Sequence, residues 1–200
     1  MIIPAVQTVS SPSLPLKIPH SGPWFLACLG LAVFTALVMK RQGEAFFTWR
    51  LVRQSFGIID LELPGTPSEL QALLLGIDAL PNGEGAAVKR AVRGQLWVDF
   101  LFMAGIYPGT FLLCMKAAGL LAAPWAQGLF GLLAWAQAAA WSFDVIENVT
   151  LLRLLGRPRE LWPTGFRIYL GVVVAKWVLA LTGAICAVSA LGYFWLARGV

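Results

Sequence analysis

Two acids and an amide, Asp144, Glu147 and Asn148, stand at i, i+3 and i+4 inside a long apolar run that begins near Leu120. On an α-helix that spacing projects all three from one face, about one turn deep. Carboxylates held close together in a buried place can divide into acid and base, because their environments separate their proton affinities. They can equally hold a cation or neutralise a buried base. Two more ionisable residues, Asp99 and Lys176, sit inside other apolar runs. Ionisable residues at membrane depth face protein or water and are functional-site candidates by default.

The surrounding chain sets their context. With 58% hydrophobic residues, 12% charged residues and a mean hydropathy of +0.75, it is far more apolar than a soluble domain. It reads as an integral membrane protein. Nine tryptophans suit several membrane–water crossings, since indole prefers the headgroup region. The net charge of +5 is a topology signal; nucleic acid is not expected as a partner. Cys28, Cys114 and Cys186 lie singly in apolar runs and read as small buried hydrophobes. The sole histidine, His20, lies in a polar segment, which excludes multi-histidine metal sites and Ser-His-Asp chemistry. No metal and no cofactor is expected.

The chain divides into a proline-rich tail over 1–21 and one membrane domain over 22–200. Spans are expected at about 22–39, 96–115, 121–151 and 166–197. The first, stopped by Lys40-Arg41, reads as an anchor rather than a signal peptide. The fold class is all-α: a polytopic four-helix bundle with a short amphipathic, helical insertion over 40–95. In that insertion Ala45, Trp49, Val52 and Phe56 share one helical face opposite Arg50, Arg53 and Gln54, the pattern of a headgroup-level helix. Ile58 to Leu63 alternates briefly. Thr66-Pro67-Ser68-Glu69 is a capping box with proline at N1, opening a helix whose apolar side carries Leu70, Leu73, Leu74 and Ile77. The second span continues a helix that starts near Gly85, and Pro108-Gly109 within it predicts a hinge-like kink. Ala134 with Ala138, Gly171 with Ala175, and Gly183 with Ala187 are spaced for close helix contact.

Basic residues assign the sides. Lys40, Arg41, Arg50, Arg53, Lys89, Arg90 and Arg93 crowd the first loop, and Arg153, Arg157, Arg159 and Arg167 the third; Lys17, Lys116 and Arg198 stand alone elsewhere. The positive-inside rule then makes 40–95 and 153–165 cytoplasmic and turns both termini outward, in the cytoplasmic membrane of a bacterium. Trp24, Trp97, Trp125, Trp162 and Trp195 all fall at span ends on this assignment.

Depth can be counted from the flanking arginines. Asp99 and Glu147 lie six residues from Arg93 and Arg153, and Asp144 and Lys176 nine residues from Arg153 and Arg167. These offsets amount to about 9 Å and about 13 Å. Asp99, Asp144, Glu147, Asn148 and Lys176 therefore share one slab, with Asp144 the expected partner of Lys176. Gln95 and Gln137 lie on the same helical faces as Asp99 and Asp144 and could line a polar path, with Trp141 beside it. Three carboxylates against one ammonium leave excess negative charge, to be met by a proton, an inward-reaching Arg93 or Arg153, or a cation.

The stretch from Gly57 to Thr66, then Asp99-Phe100-Leu101-Phe102, Asp144-Val145-Ile146-Glu147-Asn148 and Lys176, resembles a widespread group of small bacterial four-span membrane proteins without an assigned activity. The resemblance covers Gly57 to Ala190. It implies a shared fold and the same buried residues as the distinguishing feature, and no substrate.

No P-loop, prenyl-phosphate aspartate motif, D-G-x-x-A-R pattern or redox cysteine pair is present. The sequence favours a non-enzymatic bundle or accessory subunit with a buried acid–base cluster. Its alternatives are a proton- or cation-coupled transporter or channel subunit, and a membrane enzyme acting on lipid headgroups through paired carboxylates. The expected partners are the bilayer and a second copy or a larger membrane complex.

Overall fold

The computed structural model describes residues 21–44, 57–158 and 162–197. The tail, His20, the headgroup-level helix expected around Ala45 to Phe56, and Arg159 and Arg198 lie outside these residues. Six helices follow in order: α1 Ser21–Gly43, α2 Ile58–Glu62, α3 Pro67–Asp78, α4 Glu84–Leu120, α5 Pro124–Gly156 and α6 Pro163–Ala197. Among the described residues there is no strand. Helices α1, α4, α5 and α6 are each long and apolar enough to cross a membrane. The chain is a multi-pass integral membrane protein built as an all-α four-helix bundle.

Neighbouring long helices run antiparallel. Gly94, Gly105 and Gly109 of α4 face Gln42, Ala32 and Cys28 of α1 in descending order, and Asp99 and Tyr107 of α4 meet Asn148 and Asp144 of α5. Helix α6 returns beside α5, with Gln137 against Leu179 and Asp144 against Lys176. The ends of α1 and α5 and the starts of α4 and α6 therefore share one end of the bundle. Trp24, Trp125, Trp162 and Trp195 are exposed near helix ends, as aromatic belts require, and Trp97 is exposed within α4.

A helical cap covers that shared end. Thr66 accepts the Glu69 amide at 3.1 Å, so α3 starts as its sequence predicts, with Pro67 in the first turn. The reciprocal half of the capping box differs: Glu69 Oε2 accepts from the Gly65 amide at 2.8 Å, one residue before the cap. Leu70, Leu73, Leu74 and Ile77 are buried together with Leu61, against Val88, Val92 and Leu96 of α4, Leu151, Leu154 and Leu155 of α5, and Val173 of α6. Asp78 pairs with Lys89, fastening α3 to α4. Asn82 and Gly83, with φ of 55° and 77°, make the left-handed turn between them.

Residues 58–62, whose alternation suggests an extended segment, form the short helix α2 instead. The Asp60 carboxylate accepts from the Gly57 amide at 2.6 Å and holds its first turn. Burial decides the conformation: Leu61 is fully enclosed, and Tyr169 of α6 donates to its carbonyl at 3.0 Å.

Small residues tighten some of the expected contacts and not others. Ala134, Gly183 and Ala187 are buried between α5 and α6, whereas Ala138 and Gly171 face outward. One close approach lies outside the small-residue pairs above. Gly105 and Gly109 of α4 let α1 in, and a Cβ at Gly105 would lie 2.7 Å from the Cys28 carbonyl oxygen. Helix α4 continues through Pro108 as a single helix, and Gly109 meets Cys28 of α1.

Candidate functional site: a shared lysine at the head of a cleft

Lys176 is 5% exposed and reaches three carboxylates from two other helices. Its Nζ lies 2.7 Å from Glu147 Oε2, 3.2 Å from Asp144 Oδ1 and 3.4 Å from Glu62 Oε2. Asp144, the partner expected from matched depth, is thus one of three, and Glu147 is nearer. The reason lies in side-chain direction. Helical side chains lean toward their own N-terminus, which for α6 is the capped end, so the long lysine stem reaches a turn past its own Cα level.

Asp144 is held from its other side as well. Tyr107 of α4 donates to Asp144 Oδ2 at 2.7 Å, again by leaning toward the cap. Asn148 donates to Asp99 Oδ2 at 2.6 Å, which brings Asp99 into the same polar layer without touching Lys176. Glu147 is 0% exposed, and its Oε1 has no hydrogen-bond partner. Arg93 and Arg153 are exposed, so neither reaches inward to add charge. The layer therefore holds four carboxylates and one ammonium, which three of them contact, a larger excess than the sequence suggested. Burial pushes the Glu62 carboxyl above the usual carboxylate range despite the nearby lysine.

The cluster forms one end of a cleft of about 390 Å³. Met39 of α1 and Ile59 of α2 flank it, Phe102, Ile106 and Thr110 of α4 form its floor, and Trp177, Leu181 and Ala184 of α6 line the far wall. Trp177, Leu181 and Ile59 are also exposed, so the mouth opens on the lipid-facing side. Glu62, Asp99, Asp144 and Lys176 contribute the charged end. Toward the opposite end the bundle closes: Cys114, Ala117, Phe130, Ala134 and Ala187 are buried together.

The other candidate residues divide. Gln137 lines the cleft, is 1% exposed, and donates to the Leu179 carbonyl at 3.1 Å, while its Oε1 has no partner. Gln95 is buried but lies outside the cleft, so the two glutamines do not form one path. Trp141 is 37% exposed and does not line the cleft. On the helix it shares the side of Asp144 and Asn148, at i+3 and i+7, but stands at the exposed edge of that side.

Sequence reasoning about the site missed Glu62 and Tyr107. Glu62 lies in the insertion, where nothing local says that α2 folds back over the bundle. Tyr107 is counted too deep when only Cα levels are compared. Among the described residues, no group of histidine, cysteine, aspartate and glutamate is arranged to hold a metal ion. No protein-family model, no curated protein and no solved structure matches the chain.

Proposed function

We propose that the protein is a non-enzymatic membrane protein whose acid–base cluster is the head of a small-molecule binding cleft facing the bilayer, serving an accessory rather than a catalytic role. The observation that carries this reading is the position of Glu62, Asp99, Asp144 and Lys176 at one end of a cleft whose remaining walls are mainly apolar. Apolar walls with a few convergent polar groups are the usual make-up of a ligand site. Each acid that lines the cleft already has a protein partner: Asp144 accepts from Tyr107 and Lys176, Asp99 from Asn148, and Glu62 pairs with Lys176. By the distribution of basic residues, the capped end faces the cytoplasm.

A second reading, proton- or cation-coupled transport, draws support from the unbalanced carboxylates. It needs a continuation beyond Gln137, where the packed residues around Cys114 and Ala134 leave the cleft blind. Binding fits a blind cleft; passage does not.

Crystals exposed to bromoform test the binding reading without regard to charge. Anomalous bromine scattering should appear between Ile106 and Ala184, and should vanish in Ala184→Trp. Bromine found only on the outer surface would contradict the reading.

A further inference from the structure

Resting on the binding reading above, we propose that the cleft takes a small amphiphile with one positively charged nitrogen, its ammonium against Asp99 and Asp144 and its apolar part along α4 and α6. Charge complementarity selects the sign. The head of the cleft presents Glu62, Asp99 and Asp144, with Glu147 behind them, and its one cation is already shared by three carboxylates. An anionic headgroup would meet carboxylates without a free counter-ion, and a neutral one would leave the excess to be met by protons alone. A cation offsets it in a place where water screens poorly.

A second observation is independent of the acids. Gln137 is buried in the wall of the same cleft, and its Oε1 accepts no hydrogen bond. Buried acceptors without donors are uncommon in folded proteins. Gln137 stands seven residues, about 10 Å, along α5 from Asp144, so a hydroxyl or N–H donor further along the ligand, distinct from the ammonium, would satisfy it.

Size and access narrow the class further. About 390 Å³ lies near the lower end of small-molecule sites, which run from roughly 300 to 1,000 Å³. One short chain fits; a two-chain lipid does not. The exposed edges at Trp177 and Leu181 place the opening toward hydrocarbon, so the ligand arrives through the bilayer after partitioning there. Apolar walls and the absence of a metal-binding group among the described residues favour an organic cation over a metal ion.

Calorimetric titration of the full chain in phosphatidylcholine nanodiscs, with empty nanodiscs subtracted, tests this with octylammonium, 1-octanol and octanoate. Octylammonium should bind saturably, at least about tenfold tighter than octanol, the equivalent of one ordinary charged contact, with octanoate weaker still. Asp99→Asn should weaken octylammonium about tenfold, and Ala184→Trp, or Ala184→Phe if the tryptophan variant does not fold, should abolish it. Equal binding of octanol or octanoate that the filling variant still removes would overturn the cationic assignment and leave the binding reading intact. Octylammonium binding that persists in the filled variant, or no saturable binding of any of the three, would overturn both.

Discussion

Tyr107 and Asp144 are joined by a 2.7 Å hydrogen bond across the α4–α5 interface, and that bond fixes which carboxylate oxygen turns toward Lys176. Oδ2 is occupied by the phenol, so Oδ1 is the one that meets the ammonium. The orientation of the acid at the head of the cleft is thus set by a residue from a third helix.

Tyr107→Phe removes that donor and little volume. It should lower stability by about 1–3 kcal/mol, the cost of a buried acceptor losing its partner, seen as a lower melting temperature in detergent. An unchanged melting temperature would mean that Asp144 does not depend on the phenol.

Gly105 tests how α1 is held. Because a Cβ there would strike the backbone of α1 at Cys28, Gly105→Val cannot be relieved by a side-chain rotation. Overpacking of this kind costs about 1–3 kcal/mol, and it should fall on the α1–α4 contact. Reaction of Cys28 with a membrane-permeant maleimide should become faster in Gly105→Val while the labelling of Cys114, inside the bundle, stays slow. Equal acceleration at both cysteines would point to general unfolding instead.

The cap should respond to pH through Glu62. Its carboxyl faces Lys176 of α6 and Asp144 of α5, with Asp99 of α4 and Glu147 of α5 close by, and burial raises its proton affinity in the folded state. A raised carboxyl pKa means that the folded protein binds the proton more tightly than the unfolded chain. Its contribution is therefore full below the ordinary glutamate range and fades as pH rises through the raised value. Hydrogen exchange of the α2 amides, corrected for intrinsic rates, should show weaker protection as pH rises, and Glu62→Gln should flatten that dependence. Stronger protection at higher pH would contradict the sign.

Much of the architecture is legible in the sequence because it rests on long-range composition and period. The four apolar runs become α1, α4, α5 and α6, and Thr66 with Pro67 marks the start of α3 in the chain as in the fold. The site is less legible. The slab of Asp99, Asp144, Glu147, Asn148 and Lys176 comes from counting helical rise, which is robust along a straight helix. Counting does not include the lean of long side chains, so Glu147 rather than Asp144 proves nearest to Lys176, and Tyr107 is overlooked. Glu62 is lost for a different reason: five residues in an insertion carry too little periodicity to show that they fold back over the bundle. Trp141 shares the side of Asp144 and Asn148 by helical period, but it stands at the exposed edge of that side and does not line the cleft.

The most direct test of the central claim, that Lys176 is a shared counter-ion for carboxylates from separate helices, is a double-mutant cycle between Lys176→Met and Glu147→Gln, read by thermal and denaturant unfolding in one detergent. Lys176→Met alone leaves three carboxylates without their cation and should cost about 3–5 kcal/mol, as removal of one partner of a buried pair does. Adding Glu147→Gln should recover a substantial part of that loss, giving a coupling energy of about 1–3 kcal/mol. Strictly additive losses would mean that the two side chains do not share charge, and the site as described would not exist.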